Sequence, residues 1–245
     1  MSHHYIEFKN VSYSYPDGVD ALRNVSFRIT HGEKVALMGL NGAGKSTLLK
    51  LCNGLLLPTE GEVNIGGIAV TSKTLRLVRQ SVGMVFQNPD DQLFMNTVAG
   101  DVGFGPVNMG LEKAEVERRV DAALRRVDCL YLKERQPFTL SGGQKRSVAI
   151  ATVLSMEPNI LVLDEPTSNL DWKARRNVME IIRDFDHTCL VATHDIPLVR
   201  ELCRRVIFID GGQVIADNLT ENIFNDRQLL ESVGLTDADI GCRQA

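Results

Sequence analysis

Missing from this sequence, first of all, is an apolar run long enough to cross a membrane. No stretch approaches the roughly 20 hydrophobic residues a spanning helix needs, and Met1-Ser2-His3-His4 has none of the build of a signal peptide. The expectation is a soluble, cytosolic protein whose contact with any membrane comes through a partner. Paired cysteine spacing is missing too. Cys52, Cys129, Cys189, Cys203 and Cys242 are scattered, without a CxxC pair, and read as free thiols in a reducing compartment. Nor does one sign of charge prevail. The 27 Lys and Arg against 31 Asp and Glu leave a net charge of −4, which offers no broad basic face to nucleic acid. Low-complexity segments and internal repeats are absent. His3 and His4 read as part of a short disordered terminus rather than as a metal site.

What is present is a chain of 245 residues, 44% of them hydrophobic, enough to bury one large domain with or without a lobe. Its most informative stretch runs Gly39-Leu40-Asn41-Gly42-Ala43-Gly44-Lys45-Ser46-Thr47, directly after the apolar Val35-Ala36-Leu37-Met38. A strand that ends in a glycine-rich turn and opens a helix is a phosphate cradle. Its backbone N–H groups curl around a β-phosphate, Lys45 adds a point charge for the β- and γ-oxygens, and Ser46 can place its hydroxyl on Mg²⁺. The helix continues through Leu48 to Cys52 and stops at Asn53-Gly54.

Around the cradle, strands and helices alternate. Period-two patterns from Tyr5 to Tyr15 and Arg23 to Thr30 predict an antiparallel flap, and Gly61 to Val70 a hairpin turning at Gly66-Gly67. Strands are expected at Ser81–Phe86, Ile160–Leu163, Cys189–Ala192 and Val206–Ile209. Helices are expected at about Lys173–Asp184 and Ile196–Arg204, and Gly211-Gly212 should turn a last hairpin into Gln213–Ala216. Lys113 to Val127 is amphipathic and reads as part of an inserted helical lobe. The class is α/β, a mostly parallel sheet with helices on both faces and phosphate at the carboxyl ends of its strands.

Two further motifs complete the chemistry. Ile160-Leu161-Val162-Leu163-Asp164-Glu165 is an apolar strand ending in two acids, one for the Mg²⁺ shell (Asp164) and one to polarise an attacking water (Glu165). Leu140-Ser141-Gly142-Gly143-Gln144 opens a second helix, with Ser141 as N-cap and two glycines that leave the first N–H groups accessible, a second anion site. With this run between the cradle and the acidic strand, the chain resembles the ATP-binding cassette (ABC) ATPases from Tyr5 to about Phe224. The resemblance implies a P-loop NTPase fold with a RecA-like core, an antiparallel β flap and an inserted α-helical subdomain. It implies a single domain over 1–245, with core 1–87 and 157–225, helical subdomain about 88–156 and a short tail 226–245. It implies ATP and Mg²⁺ as cofactors. Gln87 matches the glutamine that touches Mg²⁺ and water and reports to the membrane partner, and His194 the switch histidine at the γ-phosphate. Ser168-Asn169-Leu170-Asp171 matches the loop that crosses between subunits. Tyr15 matches the aromatic that stacks on adenine, with Tyr13 an alternative on the same side of the strand. Gly39, Asn41, Gly42, Ala43, Gly44, Lys45, Ser46 and Thr47 would hold one nucleotide, and Ser141, Gly142, Gly143 and Gln144 the nucleotide of a second copy.

Gln87-Asn88-Pro89-Asp90-Asp91-Gln92-Leu93-Phe94 is similar to the segment of energy-coupling factor (ECF) A components that meets the coupling protein, with Leu93 and Phe94 as an apolar grip. Thr97 to Pro106 continues the likeness towards cobalt-importer ATPases. The resemblance implies a homodimer on the cytoplasmic face of the cell membrane, docked on a transmembrane coupling (T) protein that joins it to a substrate-binding membrane (S) component, without nucleic acid. By family likeness cobalt ranks first as cargo, nickel second and biotin third. Other importers or exporters, and a non-transport role on DNA or the ribosome, are the rivals.

Overall fold

The computed structural model describes residues 5–236; the readings of His3, His4 and Cys242 lie outside them. The chain opens with β1 (Ile6–Ser14) and β2 (Asp20–Ile29), paired antiparallel, then β3 (Lys34–Met38), α1 (Lys45–Cys52), β4 (Glu60–Ile65) and β5 (Ile68–Ala69). Next come α2 (Leu75–Ser81), β6 (Val82–Val85), α3 (Val98–Asn108), α4 (Lys113–Arg126) and α5 (Gly142–Leu154). The second half runs β7 (Ile160–Asp164), α6 (Trp172–Arg183), β8 (Thr188–Ala192), α7 (Ile196–Leu202), β9 (Arg205–Asp210), β10 (Gln213–Leu219), α8 (Thr220–Asn225) and α9 (Arg227–Ser232).

Two sheets result. The flap is four-stranded, ordered β2-β1-β4-β5, and the central sheet six-stranded, ordered β10-β9-β3-β8-β7-β6. All neighbours in the central sheet are parallel except the β9–β10 hairpin. Residue alternation along its strands divides the interior in two. Leu161, Leu163, Cys189, Val191, Val206 and Phe208 face one way, into a cluster that also takes α5, α6 and α7. Ile160, Val162, Leu190, Ala192, Ile207 and Ile209 face the other, against α1 and the flap. Val120 and Leu124 of α4 join the first cluster, so the helical insertion shares its apolar interior with the sheet.

The expected strands and the helix at Lys113 are present. Four helices were not marked individually by the sequence: α2, α3, α8 and α9. α3 carries Gly100, Gly103, Gly105 and Pro106, residues that weaken helices in isolation. Thr97 caps it by accepting the Gly100 N–H at 3.1 Å. Packing explains the glycine at 105, where a Cβ would sit 2.5 Å from Met156 Cγ. The seven residues of α2 are too few for a clear period in the sequence. Cys52, Cys129, Cys189 and Cys203 are free and buried.

Candidate nucleotide site

Four neighbouring parallel strands, β3, β8, β7 and β6, end on one side of the sheet. Parallel strands joined through helices bring their carboxyl ends together, and there residues far apart in sequence meet. β3 delivers the cradle, β7 delivers Asp164 and Glu165, β8 leads to His194 and β6 to Gln87. With Tyr15, Asn41, Gly42, Gly44, Ser46 and Thr47 these line one cleft of about 610 Å³.

The cradle needs its glycines. Gly39 has φ +153°, and a Cβ there would lie 2.1 Å from the Ile209 carbonyl oxygen. At Gly44 (φ +104°) it would lie 2.6 Å from that of Ala21. The amides of the first turn of α1 have no acceptor within the helix, so they face the cleft as donors. Lys45 Nζ bonds the carbonyls of Gly39 at 2.6 Å and Leu40 at 3.0 Å. Burial pulls its ammonium pKa down, against the opposing charges of Glu165 and Asp164. Asp164 is buried, and desolvation raises its carboxyl pKa while a hydrogen bond from Ser46 works the other way.

Glu165 is a non-glycine residue at φ +45°. Its N–H donates to the Ala192 carbonyl at 2.9 Å, and its carbonyl accepts from the Ser168 hydroxyl at 2.9 Å. A left-handed backbone at a buried acid is strain held by its surroundings. Its carboxylate meets His194 Nδ1 at 2.9 Å, while the His194 side chain is 76% exposed on the cleft rim. Asn169, also in the cleft, has φ +57°.

Tyr13 and Tyr15 are not equivalent. Tyr13 is buried in the flap cluster; Tyr15 follows the end of β1, lines the cleft and shares a hydrogen bond with Thr47 Oγ1 at 2.9 Å. Their rings meet edge to face at 5.0 Å. Oxygen donors of Ser46, Gln87 and Asp164 face the same cleft, a hard donor set that suits Mg²⁺, and the desolvated Asp164 carboxylate fits a cation there.

Ser141, Gly142, Gly143 and Gln144 stand elsewhere. Ser141 caps α5 and accepts the Gln144 N–H at 3.3 Å, while the Gln144 side chain accepts the Ser141 N–H at 2.9 Å. Ser141, Gly143 and Gln144 line a separate open cleft with Tyr131 and Trp172, sharing no residue with the first. A single chain does not bring the two motifs together.

Of the two apolar residues expected to grip a partner, only one is available. Leu93 turns inward to the core, whereas Phe94 is 63% exposed and packs edge to face on Phe104 at 5.0 Å. Pro89–Asp91 forms one 3₁₀ turn capped by Asn88. Asp101 holds this loop, accepting the N–H groups of Phe94 at 2.9 Å and Met95 at 3.0 Å, with its second oxygen buried and unpartnered. The sequence reading missed Asp101 and also the support behind the cleft. Arg175 makes two hydrogen bonds to Asp195, both at 2.8 Å, and Thr167 adds a third at 2.9 Å. Burial works to raise the Asp195 carboxyl pKa, but these donors outweigh it and hold it below the ordinary value. Only Asp195-Ile196-Pro197, a helix-start signal just after His194, could have pointed to it.

The profile of the ABC transporter family matches residues 22–168, from the flap through the cradle to the loop after Glu165. This chain is a member of the ABC transporter family. It is 56% identical over 235 residues to a putative ABC transporter ATP-binding protein of Geobacter sulfurreducens, covering 96% of this chain and 94% of that one. It is 46% identical over 236 residues to the energy-coupling factor transporter ATP-binding protein EcfA1 of Methanospirillum hungatei, at 95% and 85% coverage. Among solved structures, cbiO1 of Clostridium perfringens, part of the ABC transporter complex cbiONQ, superposes with a TM-score of 0.80 at 38% identity, covering 96% of both chains. The cassette MJ0796, a dimer in a post-hydrolysis state bound to ADP and Pi, gives a TM-score of 0.81 at 32% identity, covering 88% of this chain and 98% of that one. The chain is thus an ABC ATPase, the ATP-binding subunit of an ABC transporter of the EcfA and CbiO kind. Among the described residues no helix is long and apolar enough to cross a membrane.

Proposed function

We propose that this cassette powers an ECF-type importer of a transition-metal ion, cobalt before nickel, as a homodimer on the cytoplasmic face of the cell membrane. The observation that carries the dimer is the separation of the two anion-binding motifs into different clefts of one chain. Two copies packed head to tail would face each cradle with the partner's α5 N-terminus, and ATP would lie between them. ATP would bridge Lys45 in one copy and the amides at Gly142 and Gly143 in the other, so nucleotide closes the pair and loss of the γ-phosphate releases it.

Each residue has a part in this reading. The cradle amides and Lys45 hold phosphate oxygens, and Tyr15 stacks on the base. Ser46, Gln87 and Asp164 would hold Mg²⁺, which when bound neutralises charge on the phosphates. Glu165 accepts a proton from the attacking water, and His194, held by Glu165, donates to the γ-phosphate oxygens. The core of 1–87 and 157–225 carries these groups, and the helical subdomain at about 88–156 carries the cap for the partner copy.

Docking on a T protein is supported by the exposed pair Phe94 and Phe104, with Val107 one turn further along α3. The likeness of Thr97 to Pro106 to cobalt-importer ATPases favours cobalt, while the names of cbiO1 and of the EcfA relatives state no cargo, which keeps biotin or another vitamin as the second reading. The test is co-purification from the native membrane together with metal uptake in a deletion strain. A T protein and an S component should come down with the chain, and Phe94→Asp with Phe104→Asp should abolish that capture while ATP affinity changes less than about twofold. An ordinary paired permease in the complex would overturn the ECF reading, and retained capture by the double variant would remove the aromatic pair from the interface.

A further inference from the structure

β6 ends at Val85, and the backbone that follows leaves the sheet. Its polar groups are taken up by α5, the helix whose first turn carries Ser141 to Gln144. Arg146 Nη1 donates to the Phe86 carbonyl at 2.7 Å and Nη2 to the Gln87 carbonyl at 2.5 Å. Gln92 closes the other side. Its side-chain oxygen accepts the Phe86 N–H at 3.1 Å, and its amide nitrogen donates to the Ala149 carbonyl and the Thr152 hydroxyl, both at 2.8 Å. Lys145 pairs with Asp90 at 2.6 Å. Three side chains therefore join one helix to the turn that projects Gln87 into the cleft.

Arg146 is the unusual member. Its residue is 4% exposed, its Nε is buried without a partner, and its hydrogen bonds go to two carbonyls instead of a carboxylate. For packing alone an uncharged side chain of the same length would serve at lower desolvation cost. A planar fork, however, fixes two consecutive carbonyls at once, and two consecutive carbonyls define the direction in which the Gln87 side chain leaves the backbone.

We propose that Arg146 is a positioning residue for ATP turnover: it clamps the Phe86 and Gln87 carbonyls to α5, so that the cap at Ser141 and the side chain of Gln87 move as one unit. This rests on the reading of Gln87 as a group acting at the nucleotide. When a second copy's nucleotide engages the cap in one chain, the clamp carries that displacement to Gln87 in the same chain's own cleft. The two sites of a dimer are thereby linked through α5 and this turn, with the Arg146 guanidinium as the contact that fixes the backbone on both sides of Gln87.

The experiment measures steady-state ATP turnover and thermal unfolding of the full-length chain. Arg146→Met keeps length and burial but removes the fork. It should lower kcat by about 10- to 100-fold with KM for ATP within about twofold, the penalty for misplacing a group near the reacting atoms, while the melting temperature, with two carbonyls deprived of this donor, falls by only a few degrees and the chain stays folded at the assay temperature. Arg146→Lys, able to reach a carbonyl, should recover part of the rate. Gln87→Ala should be slow by itself, and adding Arg146→Met should slow it no further. Wild-type turnover by Arg146→Met beside a slow Gln87→Ala would overturn the clamp and leave the reading of Gln87 standing. So would losses that add in the double variant, or that are explained by unfolding at the assay temperature. Wild-type turnover by Gln87→Ala would overturn both.

Discussion

The cleft at Lys45 and the helix start at Ser141 both offer backbone amides to an anion, and they are built by opposite means. The cleft gathers four strand ends, holds Lys45, Asp164 and Glu165 buried, and keeps Glu165 in a left-handed backbone. The cap uses four consecutive residues, of which Ser141 and Gln144 satisfy each other through reciprocal hydrogen bonds, with Ser141 and Gly142 exposed and Gly143 and Gln144 half-buried. One site is strained and desolvated by the whole fold, and the other is locally complete. On the proposed reading the strained site is where chemistry is set, while the cap presents donors to whatever is brought to it.

The comparison breaks most visibly at Glu165. Glu165→Gln preserves shape and removes the proposed base, so turnover should fall by roughly 10²–10⁴-fold. Nucleotide affinity should hold and the closed dimer should accumulate. Phosphate release and size analysis with ATP check both, and brisk hydrolysis would move the base elsewhere.

Glycines sharpen the contrast on stability. Gly39→Ala drives a Cβ against the Ile209 carbonyl and should cost roughly 1–3 kcal/mol or more. Gly142→Ala meets no atom within 4 Å and should stay within about 1 kcal/mol of the parent in thermal unfolding. Equal losses at the two positions would erase the distinction.

Ser141→Ala removes one half of the capping box. It should cost about 1 kcal/mol, which for a chain of this size is a fall of roughly 2–4 °C in Tm. Affinity of a monomer for ATP should not change, whereas hydrolysis that depends on two copies should.

Asp101 sets the smallest test, a desolvated acid outside the cleft. Burial raises its carboxyl pKa from 3.8, outweighing the two amides it accepts. Its contribution to stability is thus fully present below the unfolded value and is lost as pH rises through the higher folded one. Asp101→Asn, which can still accept both amides, should flatten that decline, seen as a smaller loss of Tm as pH rises above the ordinary carboxylate range.

Much of this was legible along the chain because the cradle, the acidic strand and the cap are each contiguous: their chemistry is a matter of neighbours. Short continuous apolar runs likewise marked β7 and β8, which are buried on both faces and fill two clusters. Legibility failed where a contact spans distance. α3 is written in glycine and proline and is a helix because Met156 and Val120 lie against it. Leu93 and Phe94 look alike in sequence, yet one faces the core and the other solvent. Arg146 and Asp195 gave no local sign of their partners.

By itself, then, the order of residues determined the phosphate cradle, the acids beside it, the helix cap and the α/β class, since each rests on backbone preferences and side-chain chemistry within a few positions. Tertiary structure alone decided which tyrosine reaches the cleft, which apolar residue faces outward, and that the cap and the cradle of one chain stand apart. Those outcomes depend on how sheets and helices bury their faces against each other, a condition no short segment carries.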